Sequence, residues 1–243
     1  MQLIKLDATD STNAYLKNMV LQNQAEDFTV VQADTQYAGR GQMGTTWISE
    51  PGKNLTFSVL KKNLSLAASR QFVLNMLTCQ GVFSALNELT VPDLKIKWPN
   101  DILSGNAKIS GILIENMTSG KVVQSSIIGV GLNVNQRDFG DLGQVTSLQL
   151  LLGRYLDLGE VLNVILRHLE SAFNKLDNEG EVHIRERYEQ LLFRKDKPST
   201  FRGSRGELLT GIIRGVSRDG KLRVELEDRL LKEFELKELQ LLY

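Results

Sequence analysis

Lys108-Ile109-Ser110-Gly111-Ile112-Leu113-Ile114-Glu115 is followed by a Ser119-Gly120 turn signal and then by Gly129-Val130-Gly131-Leu132-Asn133. The fold is decided here. Residues 109–117 and 122–130 are short apolar runs with β-branched residues and a break between them, which predicts two strands joined at Ser119-Gly120. A glycine inside a strand marks close approach by a ligand or by another backbone. Gly111 in one strand and Gly129 and Gly131 in the next therefore predict a floor on which a flat substrate can lie. Lys108 stands at the entry to the first strand, where the ordinary reading of a lysine is a solvated strand end.

Working outward toward the N-terminus, residues 2–6 and 28–33 read as strands. Asp10-Ser11-Thr12-Asn13 offers N-caps for a helix over 14–24. Residues 35–52 are a long glycine-rich loop, a length that in a compact chain signals function or disorder. A strand over 55–60 and a helix over 66–89 follow. Strand pieces at 94–98 and 102–103 flank Pro99, and Ser104-Gly105-Asn106 reads as a hairpin turn. Toward the C-terminus the pattern predicts helices over 159–176 and 182–193. The character changes at Arg194-Lys195-Asp196-Lys197-Pro198. Short alternating strands then run over 208–216, 222–226 and 230–234, with Ser217-Arg218-Asp219-Gly220 as a turn. The expected organisation is a mixed α/β domain over 1–195 and a small barrel-like β domain over 196–243.

Composition narrows the class. Of 243 residues, 42% are hydrophobic and 24% charged, which excludes disordered and low-complexity chains. Lysine plus arginine equal aspartate plus glutamate at 29 each, so the net charge is zero and nucleic acid is not the expected main partner. The first ten residues lack the pattern of a signal peptide, and no stretch reaches the roughly 20 apolar residues that span a bilayer. A soluble, cytoplasmic protein is expected. The single cysteine, Cys79, forms no internal disulfide and reads as a core residue. His168 and His183 have no metal-binding neighbours at ligand spacing.

Two further strings carry chemistry. Gly39-Arg40-Gly41-Gln42-Met43-Gly44 fits G-x-G-x-x-G, but Thr45-Thr46-Trp47 opens no helix and no acid follows about 20 residues on, so the dinucleotide reading fails. What remains is a flexible loop whose amides and Arg40 suit an anion, or a bland surface loop. Lys97-Trp98-Pro99-Asn100-Asp101 sets an amide and a carboxylate side by side at a strand end. It suits a ribose, an amine or a metal, and equally a simple turn.

Taken in order, the blocks at 10–13, 39–47, 97–101, 108–115 and 129–133 resemble the biotin–protein ligases. The β-rich tail is similar to that family's small C-terminal domain. The resemblance implies an α/β (α+β) catalytic domain of the class II aminoacyl-tRNA synthetase-like, biotin–lipoate ligase type, followed by an SH3-like barrel. It implies ATP-dependent formation of biotinyl-5′-AMP and transfer of biotin to a lysine of a biotin carboxyl carrier domain, with Mg²⁺. With Ser11 where the catalytic domain begins, it also implies the monofunctional type, without DNA binding and without membrane attachment. A homodimer pairing sheet edges near 129–133 is a further expectation. For biotin, the implied contacts are Ser11, Thr12, Gln36, Gly39, Arg40, Gly41, Trp47, Lys108, Gly111, Leu113 and Gly131. For the nucleotide they are Arg40, Gln42, Trp47, Asn100, Asp101, Lys108 and Asn133, with Asp101 also the metal contact. Lys108 and Arg40 carry the implied catalytic roles. The chain departs from the family loop, which often has arginines where Gln42 and Thr45 stand. A lipoate–protein ligase or lipoyl transferase of the same fold, and a catalytically silent binding module, are the alternative readings.

Overall fold

The computed structural model describes residues 2–243. The chain opens with β1 (Gln2–Thr9), crosses through α1 (Thr12–Leu21), and returns as β2 (Thr29–Gln36). Because a helix makes the crossover, β1 and β2 pair in parallel. Then come β3 (Leu55–Lys61), the two-residue β4 (Leu66–Ala67) and α2 (Phe72–Glu88). The short strands β5 (Leu94–Lys97) and β6 (Asp101–Ser104) lead into the long hairpin β7 (Ala107–Ser119) and β8 (Val122–Leu132), turned by Gly120 at φ 58°. Helices α3 (Leu148–Leu152), α4 (Leu158–Asn178) and α5 (Glu181–Gln190) follow.

These strands form one sheet in the order β1-β2-β3-β8-β7-β6-β5, with β4 also pairing with β8. All neighbours except β1 and β2 are antiparallel. One face is covered by α2, behind which stand α4 and α5. Residues Val73 to Val82 of α2 are all buried, as expected of a helix packed on both sides. The other face is covered by α1 and the segment after it, where Leu16 and Ala25 meet Val31, Leu60 and Ile127. The result is a mixed sheet with flanking helices.

A second, antiparallel sheet contains β9 (Pro198–Gly203), β10 (Leu208–Val216), β11 (Leu222–Leu226), β12 (Leu231–Phe234) and β13 (Leu239–Leu242), in the order β12-β11-β10-β9-β13. Pro198 sits at a strand start, where its missing N–H costs no ladder bond. The switch between sheets falls between Gln190 and Pro198.

Several sequence expectations need correction. The helix expected from residue 66 starts at Phe72, because Leu66 and Ala67 are captured by Val123 and Val122 of β8. The helix expected over 14–24 begins at Thr12 and ends at Leu21. The loop over 35–52 is not structureless: β2 reaches Gln36, Gln42–Gly44 forms a short 3-10 turn, and Arg40 bridges Thr46. β8 is no edge strand, since β3 and β7 occupy its two sides.

Candidate functional site

Gly111 of β7 pairs directly with Gly131 of β8. With Gly129, they leave a strip of sheet without side chains, and a cavity of about 380 Å³ opens above it. The indole of Trp47 lies over this strip. A Cβ on Gly131 would overlap the ring, and one on Gly111 would stand 3.2 Å from it. The loop that delivers Trp47 is a hairpin closed by Trp47 N–H donating to Gly39 O at 3.0 Å and Gly41 N–H to Thr45 O at 2.7 Å.

One end of the cavity is polar. Gln36 Oε1 accepts from Thr12 N–H at 2.8 Å and from Thr12 Oγ1 at 3.2 Å. The buried Ser58 hydroxyl lies 2.7 Å from Thr12 Oγ1 and 2.6 Å from Asn13 Oδ1. Asn13 donates to Glu115 at 2.7 Å, and Arg40 pairs with the same carboxylate at 3.3 Å. Ser11 completes this wall.

The other end is charged. A register shift between Ile102 and Leu103 sets Lys108 opposite Leu103 and Ser110 opposite Ile102, and this bulge re-aims the Lys108 side chain. Lys108 Nζ meets Asp101 at 2.6 Å and stands 5.7 Å from the centre of the Trp47 ring, within cation–π range. Its backbone is held by Gln144 and Thr146 at 2.7 and 2.9 Å. Asp101 is the one carboxylate in the cavity wall among the described residues. The segment before it is fixed from behind: Pro99 O accepts from Asn75 Nδ2 and from Tyr188 Oη, both at 2.7 Å. Burial pushes the Tyr188 hydroxyl well above its usual range, so it stays a protonated donor. The Asn100 side-chain amide donates to Ile112 O and its backbone carbonyl accepts from Ile112 N–H, which fixes Asn100 in the cavity wall. Cys79, buried with its thiol pushed up by desolvation, is an inert core residue.

The cavity thus collects Ser11, Thr12, Gln36, Arg40, Gly41, Gln42 and Trp47 with Asn100, Asp101, Lys108, Gly111, Leu113 and Gly131. Two residues named from the sequence stand off its wall. Gly39 anchors the loop hairpin from outside. Asn133 is buried behind the floor and donates to Thr146 O at 3.1 Å, so its amide holds the segment that braces Lys108. Sequence reading missed Asn13 and Glu115, although both lie inside the quoted blocks. It also missed Leu236 and Lys237, which reach the cavity from the turn between β12 and β13.

Residues 6–133, which carry the polar wall, the loop, Lys108 and both glycine strands, match the model of the biotin/lipoate A/B protein ligase family. The chain belongs to that family. Its similarity to biotin–protein ligases extends well beyond the matched segment. It is 32% identical over 235 residues to the bifunctional ligase/repressor BirA of Bacillus subtilis, covering 93% of this chain and 69% of that one. It is 30% identical over 226 residues to the biotin–[acetyl-CoA-carboxylase] ligase of Paracoccus denitrificans, covering 89% and 91%. The biotin protein ligase from Aquifex aeolicus, solved in complex with biotin and ATP, superposes with a TM-score of 0.80 at 28% identity, covering 99% of this chain and 98% of that one.

Proposed function

We propose that this chain is a biotin–protein ligase that activates biotin with ATP to biotinyl-5′-AMP and transfers the biotinyl group to a lysine of a biotin carboxyl carrier domain. The observation that carries the reading is the side-chain-free strip at Gly111 and Gly131, walled by hydrogen-bonding groups at one end and by Lys108 and Asp101 at the other. A flat ureido ring with an apolar tail and a carboxylate has that distribution of chemistry. The Aquifex aeolicus relative of the same fold was solved with biotin and ATP.

In this reading Ser11, Thr12 and Gln36 meet the ureido ring, and the indole of Trp47 with Leu113 encloses the tail. The carboxylate lies toward Lys108. Bringing it to the α-phosphate sets anion against anion, so the chain must supply positive charge and fixed orientation. Lys108 has three N–H donors and gives one to Asp101, leaving two for the carboxylate and the phosphate. As the bond from the carboxylate oxygen to the α-phosphorus forms, the bridging P–O bond breaks and pyrophosphate leaves. The neutral carrier amine then attacks the acyl carbon. An amide forms, AMP departs with the electron pair of the broken C–O bond, and the nitrogen loses its proton. Asn100 and Asp101 face the nucleotide. A lone carboxylate fits Mg²⁺ arriving as MgATP, because that ion takes most of its ligands from phosphates and water. Asp101 would hold the ion, which would neutralise phosphate charge.

The same reading puts the reaction in the cytoplasm and makes carrier proteins, not DNA, its macromolecular partners. The balanced charge supports the second point. Among the described residues no helix is long and apolar enough to cross a membrane. Biotin-dependent ATP–pyrophosphate exchange is the deciding assay. Exchange with biotin is expected; exchange only with lipoate indicates a lipoate ligase, and none with either acid indicates a binding module.

A further inference from the structure

Three cations line the cavity among the described residues: Arg40, Lys108 and Lys237. Arg40 already faces Glu115 and Lys108 already faces Asp101. Lys237 differs: its Nζ donates to a neutral acceptor, Met43 O, at 3.0 Å, and it forms no ion pair with a described carboxylate. The contact joins the turn after β12 to the loop that carries Trp47, across 194 positions of sequence. Both partners hold left-handed backbone, Lys237 at φ 69° and Met43 at φ 54°, a conformation that side-chain-bearing residues adopt at a cost. The turn itself is fixed by Glu235 N–H donating to Glu238 Oε2 at 2.7 Å, which commits that carboxylate locally. The loop carries neutral Gln42 and Thr45, so Arg40 is its only cation between Gly39 and Trp47.

We propose that Lys237 is a latch on this loop and the uncommitted cation of the site. One N–H holds the Met43 carbonyl, and the other two face phosphate oxygens of the nucleotide and the adenylate. The second sheet thereby completes the cavity and makes up for charge the loop lacks. The phosphate role rests on the ligase reading above; the latch does not.

Lys237→Met keeps chain length and removes charge and donors, and Lys237→Arg restores a cation. Trypsin cleavage after Arg40 in the full chain tests the latch without any chemistry. Losing one charge-assisted hydrogen bond should speed cleavage about tenfold in Lys237→Met. The KM for MgATP in biotin-dependent pyrophosphate exchange should rise, and the half-life of bound biotinyl-5′-AMP after dilution should fall, each about tenfold. Biotin binding without nucleotide should weaken through the loosened loop but clearly less than MgATP binding, and Lys237→Arg should recover most of the loss. Equal cleavage rates overturn the latch. Unchanged KM and adenylate half-life overturn the phosphate role, as does an equal loss of biotin binding without nucleotide, which would mark Lys237 as merely structural. A wild-type chain without exchange overturns the ligase reading and the phosphate role with it, while the trypsin result still decides the latch.

Discussion

Lys108 has a bland reading, a solvated strand end, that its surroundings contradict. The bulge beside it, the pairing with Asp101 and the indole within cation–π range all aim its charge inward. Lys108→Ala should lower single-turnover adenylation by roughly 100- to 1000-fold, the usual cost of losing one preorganised donor to developing charge. Stability should fall by less than about 1 kcal/mol, because the stranded Asp101 carboxylate is partly open to water. Lys108→Arg should rescue only part of the rate, since a planar guanidinium delivers charge with different geometry. Wild-type rates in Lys108→Ala would restore the bland reading. Gly131 is a steric case: a Cβ there would overlap the Trp47 ring. Gly131→Ala should push the indole off the floor and weaken biotin binding by about tenfold or more, read by calorimetry. An unchanged affinity would mean the floor is not where biotin lies. Asn133, whose place in the string suggested a nucleotide contact, is buried and donates its amide N–H to Thr146 O, in the segment that braces Lys108.

Among the elements, α2 carries the structural burden. It is buried against the sheet on one side and α4 on the other. At its last residue Glu88 meets Arg167 and His168 of α4, each at 2.8 Å. Hydrogen bonds from Arg167 first, then His168, lower the Glu88 carboxyl from 4.5 to about 2. A depressed carboxylate pKa contributes stability that is complete above 4.5 and lost as the pH falls toward about 2. The contribution is small, since the pair is exposed. Glu88→Gln should therefore melt slightly lower than the wild type at neutral pH, and the gap should close as pH drops through that window. A gap that stays constant down to pH 2 would remove the ion pair as its cause. The run over 66–89 was legible as helical because its apolar spacing is strong. Its true start was not, because β4 is made by pairing with β8, a partner more than fifty positions away.

At the scale of the molecule, the two sheets meet around the motif at 97–101. Trp98 Nε1 donates to Gly220 O at 2.9 Å, and Lys97 Nζ to Tyr243 Oη at 3.1 Å. Pairing between copies cannot use β8, which is internal. Of the two outer strands, β5 is partly covered, with Ile96 N–H donating to Leu191 O and Phe193 N–H to Ile96 O. The outer side of β1 is the available edge. A homodimer of the adenylate-loaded protein should therefore sediment as such at micromolar concentration and protect amides of Gln2–Thr9 from hydrogen exchange. A clean monomer, or a dimer without that protection, would rule out this edge.

The sequence by itself determined most of the long elements and the glycine floor. Period-two and helical patterns, turn residues and strand glycines are local signals, and the blocks that carry the family resemblance are short and contiguous. The tertiary structure alone decided how these parts meet. β8 became central, Asn133 was turned inward, Arg40 found Glu115, and Lys237 reached Met43 from the far end of the chain. Such pairings depend on distances set by packing between segments remote in sequence, and no local periodicity encodes them.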